Sequence, residues 1–255
     1  DGDVWWEEMT DEPPAHLIDW KGEDWTPDCG RPSSHPNARF TAPAGQCPVI
    51  DSEWTNPDGV SISAFVFGGR RASTMPLVFQ AKSWDHGIFI GSVMGSEVTA
   101  AAAGATGQVR RDPMAMLPFI GYHVGDYLQQ WVDIGKKVEK LPGVFHTNWF
   151  RKSPDGKWLW PGFGDNMRVL EWILNKMDGK VEGTDTFIGS VPKFGELNLD
   201  GLDMSEDEWN ELMQLIPEEW QSEIDTQEEF LTKIGDKLPA VVTEQRNALL
   251  DRIKG

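Results

Sequence analysis

The sequence predicts an α/β protein, a mixed-sheet body with an aromatic hairpin that ends in a helical tail. Three observations carry that prediction. "VSISAFVFGG", 60–69, is β-branched and aromatic and stops on paired glycines, which reads as a buried strand. Apolar residues recur at helical spacing in the second half of 116–140 and through 166–177, which reads as two amphipathic helices. From about residue 203 the chain turns acidic and amphipathic, with prolines placed where helices begin.

Taken in order, residues 1–60 are rich in Pro, Trp, Asp and Gly and predict long loops and short strands. After the strand at 60–69, "GIFIGSVM", 87–94, reads as a second one. The stretch between them fits either period. "SEVTAAAAGATG", 96–107, is small and uncharged after Glu97. Four alanines favour helix and the flanking Thr and Gly favour mobility, so lid and ordinary loop both stand. In 116–140 the helical residues are Tyr127, Leu128, Trp131 and Ile134.

"NWFRKSPDGKWLWPGFGDN", 148–166, centres on the turn sequence "SPDGK", which would put Trp149 and Phe150 on one strand and Trp158 and Trp160 on its partner. In 166–177, Val169, Leu170, Trp172, Ile173 and Met177 form the apolar face, with Asp165 or Asn166 as N-cap. Ser205 with Glu208 forms a capping-box pattern. Residues 1–202 are expected to form one lobe, and 203–255 an acidic helical tail packed on it.

The chain has 255 residues, a net charge of -18 and a pI ≈ 4.6. So negative a field repels phosphate backbones and anionic lipid, which argues against nucleic-acid and membrane-surface partners. No stretch approaches the roughly 20 apolar residues of a membrane span. Cys29 and Cys47 are too few for a disulfide framework and lack metal-ligand spacing. Reduced thiols in a cytoplasm are the expectation. The opening "DGDVWWEEMTDEPP" carries neither Met nor signal pattern and reads as the middle of a longer chain or a processed one.

Four constellations could carry chemistry. In "HPNARF", 35–40, Asn37 and Arg39 share a side if extended. An amide beside a guanidinium can hold a carboxylate or phosphate, whereas a surface loop would leave the arginine incidental. In "FGGRR", 67–71, two glycines allow a sharp turn or a close approach, and two arginines could face polyphosphate. A strand-end turn with solvated arginines is the alternative. No G-x-x-x-x-G-K-[ST] occurs. The small-residue loop is the third. The fourth is the aromatic stretch, which is either cross-strand packing or a stacking slot for a flat base, closed by Phe163 and read by polar groups at Gly164 to Asn166. No metal cluster and no Ser/His/Asp signature is evident, and His86 and His123 read as structural.

In this order, "HPNARF", "FGGRR", "SWDHGIFIGSVMGSEVTAAA", "FHTNWFRK" and "WLWPGFGDNMRVLEW" resemble the GTP-dependent phosphoenolpyruvate carboxykinases, in their carboxy-terminal part. The resemblance runs to about "VPKFGELNLDGL" and more loosely through the tail. It implies conversion of oxaloacetate and GTP to phosphoenolpyruvate, GDP and CO2, with GTP/GDP as co-substrate. It also implies Mn2+, whose ligands, like the phosphate-binding loop, are expected upstream of this chain. The remaining amino-terminal half of the enzyme is then a partner of this chain, which is expected to be inactive alone and monomeric when complete.

Carried over by motif, Asn37, Ala38 and Arg39 would contact substrate, and Arg39 and Arg70 the nucleotide phosphates. Trp149, Phe150, Trp158, Phe163, Gly164, Asp165 and Asn166 would bind guanine, with Trp160 a packing ring that plays no part in base choice. Glu97, Val98, Thr99, Ala100, Ala101, Ala102, Ala103, Gly104, Ala105, Thr106 and Gly107 match the family's mobile lid. Phe119 would lie near the substrate. Trp158 stands where phenylalanine is expected, and Gly95 and Leu117 where animal members carry arginine; the pattern resembles a bacterial, actinobacterial member. Two other classes fit the aromatic content, a carbohydrate-binding module and a noncatalytic interaction domain. Failure of Arg39 and Arg70 to converge would favour the latter.

Overall fold

The computed structural model describes residues 2, 4–5, 10, 12–35, 42–98 and 107–255. Two compact units divide the chain between Val60 and Ser61, the second comprising Ser61–Val98 and the chain from Thr106 to Gly255.

In the first unit, β1 (Leu17–Ile18) and β2 (Asp24–Trp25) pair antiparallel. The buried Asp19 carboxylate shapes the turn between them. It accepts the amides of Lys21 at 2.9 Å and Glu23 at 3.0 Å and pairs with Arg31. The Trp25 indole donates to the Arg31 carbonyl at 2.7 Å. Cys29 and Cys47 are free and exposed.

The second unit is mixed α/β, as the sequence predicts. Its elements are β3 (Ala64–Gly68), β4 (Val78–Gln80), α1 (Trp84–Ser92), β5 (Gly95–Glu97), β6 (Val109–Arg111), α2 (Val124–Lys137) and β7 (Gly143–Thr147). Then come α3 (Asn166–Met177), β8 (Thr184–Thr186), β9 (Gly189–Val191), α4 (Glu206–Met213), α5 (Pro217–Ile234) and α6 (Ala240–Lys254). The main sheet has the order β3-β7-β4-β9-β8, with β3 and β7 parallel and the other pairs antiparallel. β5 and β6 form a separate antiparallel pair.

The strand at 60–69 and the helices at 116–140 and 166–177 appear where the sequence places them. The strand expected at 87–94 does not: those residues lie in α1 and the turn after it. Every residue from His86 to Ser92 is buried. A helix packed on all sides loses its amphipathic period, so a continuous apolar run cannot distinguish it from a strand. Ser83 settles the outcome by accepting the His86 amide at 3.1 Å as N-cap, with Asp85 in the first turn. α1 packs on β7, α2 and α6.

The capping box at the start of α4 forms, with the Glu208 amide 3.3 Å from Ser205 Oγ and the Ser205 amide 2.8 Å from Glu208 Oε2. α5 begins on Pro217 with Glu218 and Glu219 in its first turn and Lys233 in its last, which suits the helix dipole. The core joins Leu77, Phe79, Phe89, Phe145, Trp172 and Ile188 from the sheet and its covering elements with Leu212, Ile224 and Leu249 from the last three helices.

Two histidines lie inside this unit. His86 Nδ1 accepts the Lys82 amide at 3.0 Å, and its pKa is lowered to about 3 by burial, then by Arg252 and Lys82. His146 stacks on Phe79 at 5.2 Å, and burial, then Arg71, lowers it to about 4. Both are neutral when folded, whereas an unfolded histidine titrates near pH 6.5. Between those values the unfolded chain binds protons that the folded chain refuses, so stability falls as pH falls from about 6.5. His146 alone should remove on the order of 3 kcal/mol by pH 4. Urea unfolding at pH 7 and pH 4.5 checks this: His146→Phe should lose less stability between the two than the parent chain, and an equal loss would refute the assignment.

Candidate functional site

The glycines of "FGGRR" mark a close approach of backbones. A Cβ on Gly68 would stand 2.6 Å from the Thr147 carbonyl oxygen, and one on Gly69 2.2 Å from that of Gly95. Only glycine lets β3 run this near β7 and then turn under β5. The turn places the two arginines in different settings.

Arg70 is partly exposed and held by its backbone. Its amide donates to Ser96 Oγ at 3.1 Å, and its carbonyl accepts the Glu97 amide at 2.8 Å. Its guanidinium carbon lies 5.1 Å from the centre of the Phe150 ring, whose edge meets Trp158 at 5.9 Å and 75°. Lys152 covers the other ring at 4.2 Å from Trp158. Arg70, Phe150 and Trp158, assigned by sequence to phosphate and base, are therefore contiguous, and the guanidinium sits in a cation–π arrangement.

Arg71 is buried and committed elsewhere. Its Nη1 and Nη2 donate to the Glu223 carboxylate at 3.0 and 2.6 Å, and Arg111 Nη1 donates to the same carboxylate at 2.6 Å. Burial alone would raise the Glu223 carboxyl, but the hydrogen bonds and charges of Arg71 and then Arg111 outweigh it and bring the pKa down to about 2. Among the described residues Arg70 is thus the arginine of the turn that pairs with no carboxylate, its Nη1 reaching only the Glu97 carbonyl at 3.5 Å. A cleft of about 880 Å³ lined by Arg71, Arg111, Glu223 and Lys233 touches none of the predicted site residues that are described, and its two arginines are both engaged by the Glu223 carboxylate.

The aromatic stretch makes a short antiparallel pairing around its turn, with the Ser153 amide 2.9 Å from the Lys157 carbonyl and the Leu159 amide 3.0 Å from that of Arg151. The Gly156 amide reaches the Ser153 carbonyl at 2.9 Å, and a single bridge joins Lys152 to Trp158. Ahead of this pairing, the buried amide of Asn148 ties the chain to the arginine turn. Its Nδ2 donates to the carbonyls of Arg71 at 2.9 Å and Met75 at 3.0 Å, and its Oδ1 accepts the amides of Arg71 and Phe150, each at 3.2 Å. Asn148, within "FHTNWFRK", is a functional residue that the sequence motifs do not single out. A polar residue at the end of a buried strand, before two rings, was the available signal. Trp149 packs against the core.

Phe163 is 81% exposed and has φ 44. A bulky residue in the left-handed region is strained, and such strain collects at functional sites. It heads a tight turn, Phe163–Asp165, that feeds α3 directly. Neither Asp165 nor Asn166 caps the helix by its side chain. Asp165 instead receives Arg168 Nε at 2.8 Å, so its carboxylate is engaged. Asn166 Oδ1 accepts the Trp160 indole N–H at 2.9 Å. Trp160 is a core ring, as expected, and also this donor. The first amides of such a turn have no intrahelical partner, and those of Phe163 and Gly164 head it.

Of the lid residues, Glu97, Val98 and Gly107 form the loop end of the β5–β6 hairpin. The Val98 amide donates to Gln108 and the Gly107 amide to Val98, at 2.8 and 2.9 Å. Glu97 Oε1 accepts the Ala72 amide at 2.8 Å, tying this end to the arginine turn. Thr99 to Thr106 lie outside the described residues, as do Asn37, Ala38 and Arg39. Gly95 faces this hairpin, where a Cβ would stand 2.5 Å from Val109 and 3.0 Å from Arg111. Phe119 is 71% exposed in the turn Leu117–Phe119, just after Met114 and Ala115, both with positive φ.

Residues 1–252 match the family described as phosphoenolpyruvate carboxykinase C-terminal P-loop domain. The chain is 50% identical over 255 residues, 99% of its length, to the phosphoenolpyruvate carboxykinase [GTP] of Paenarthrobacter aurescens (strain TC1), and equally to that of Arthrobacter sp. (strain FB24). Over 254 residues it is 50% identical to the enzyme of the same name from Anaeromyxobacter dehalogenans (strain 2CP-1 / ATCC BAA-258). It spans 42% of the first two relatives and 43% of the third. With the family match covering residues 1–252 and half of all positions identical to these relatives, the chain belongs to the phosphoenolpyruvate carboxykinase family, in the C-terminal domain.

Proposed function

We propose that this chain supplies the guanine slot and one phosphoryl-binding arginine to a GTP-dependent phosphoenolpyruvate carboxykinase, which forms phosphoenolpyruvate, GDP and CO2 from oxaloacetate and GTP. The observation that carries this reading is the contact of Arg70 with Phe150 beside Trp158, which sets a cation against the wall of an aromatic site. Arg70 stabilises charge on the transferring phosphoryl group. Phe163 stacks on the base, and Asn166 with the amides of the turn reads its edge. Asn37 and Arg39 hold substrate, Phe119 lies near it, and residues 99–106 close over it, which keeps a reactive enolate from water. The complete enzyme works as a cytoplasmic monomer.

The family uses manganese by resemblance, but among the described residues no group of three or more His, Cys, Asp or Glu side chains could hold a metal. The described residues do not fit such a site. Among the described residues no helix is long and apolar enough to cross a membrane.

The test is phosphoenolpyruvate formation by the full-length protein with GTP or ATP. Turnover with GTP and little with ATP is expected, and equal use of both would refute the reading. Within it, Phe163→Ala should raise KM for GTP roughly tenfold or more, since stacking is worth about 1–3 kcal/mol per base. The melting temperature should hardly move, because the ring is exposed. A KM within twofold of wild type would remove Phe163 from the slot.

A further inference from the structure

An indole N–H only donates, so the atom of Asn166 that meets Trp160 is its oxygen. That bond settles which way the amide faces. Its Nδ2 is left without a hydrogen-bond partner among the described residues, and it is not among the buried unpaired atoms. Trp160 itself is 1% exposed and locked in the core, so the donor cannot drift. A free asparagine amide would flip to suit either purine, with NH2 toward the O6 acceptor of guanine or C=O toward the 6-amino group of adenine.

We infer that Trp160 is a positioning residue for base choice: its indole N–H holds the Asn166 amide with the Nδ2 donor toward the base, so that guanine is accepted and adenine meets donor against donor. The inference rests on the proposed guanine slot. It changes the role expected of Trp160 from its sequence position, that of a packing ring alone. It also gives an asymmetric signature. Freeing the amide leaves the guanine-reading orientation available about half the time, so GTP use should fall only about twofold. ATP use should rise, because the amide can now turn its oxygen to the 6-amino group, and correcting one such mismatch is worth about tenfold. Damage to the fold lowers both.

The experiment is kcat/KM for GTP, ITP and ATP in full-length wild type, Trp160→Phe, Asn166→Ala and the double variant. In Trp160→Phe, ATP use should rise about tenfold relative to wild type. ITP should follow GTP, since hypoxanthine shares O6 and N1–H. In the Asn166→Ala background, Trp160→Phe should change the GTP-over-ATP ratio no further. Unchanged values, or parallel losses with GTP and ATP, would overturn the inference. If Asn166→Ala narrows the ratio and Trp160→Phe does not, the slot stands and only the role of Trp160 fails. If Asn166→Ala leaves the ratio unchanged, the slot itself fails. Should Trp160→Phe not fold, Asn166→Asp serves instead. It keeps an acceptor for Trp160 and puts a second where Nδ2 stood, so GTP use should fall and ATP use rise. Equal losses would again overturn the inference.

Discussion

Arg70→Lys in the full-length enzyme should lower kcat on the order of a hundredfold, with far less change in KM for GTP. The size is that of removing one preorganised donor from a transition state. The Arg70 backbone is fixed by the Ser96 hydroxyl and the Glu97 amide, and its guanidinium is braced against the Phe150 ring. A lysine keeps the charge but offers neither the planar fork nor the same stacking. A contact that strengthens as charge develops on the phosphoryl group acts on kcat rather than on ground-state binding. Steady-state kinetics decide the matter: kcat within threefold of wild type, or a loss confined to KM, would remove Arg70 from phosphoryl transfer.

Glu223→Ala should destabilise the chain by about 3–5 kcal/mol, the usual cost of leaving buried charge without its partner. Here two guanidinium groups are left, since Arg71 and Arg111 share the one carboxylate and their side chains are 6% and 7% exposed. Replacing Arg71, Glu223 and Arg111 together by Met, Leu and Met should restore much of the loss, because apolar residues of similar volume bring no desolvation penalty. Denaturant unfolding of the variants checks both results. A loss under about 1 kcal/mol in Glu223→Ala would mean that water reaches the cluster and screens it.

The sequence shows most plainly what is local. α2 and α3 are amphipathic and half-exposed, so their period is visible, and the Ser205–Glu208 cap lies within one turn. α1 was misread because burial on every side erases the period. Around the aromatic turn only the short pairing beside "SPDGK" is local; Trp149 and Phe150 lie outside it, where Asn148 Oδ1 takes the Phe150 amide. Residue types and order were enough to nominate Arg70, Phe150 and Trp158, and the fold joins them. They could not show that Arg71, next in the chain, is withdrawn by a carboxylate 152 residues away. Nor could they show that Trp160 donates to Asn166. Such pairings follow from where α5 and the turn before α3 come to rest, and no periodicity records that.

Base reading at the turn before α3 is tested most directly by the ratio of kcat/KM for GTP to that for ATP, measured in competition for full-length wild type and Asn166→Ala. Losing one purine-edge contact should narrow the ratio roughly ten- to a hundredfold. A ratio unchanged by the substitution would contradict the guanine slot and leave the rings of 149–163 as packing alone.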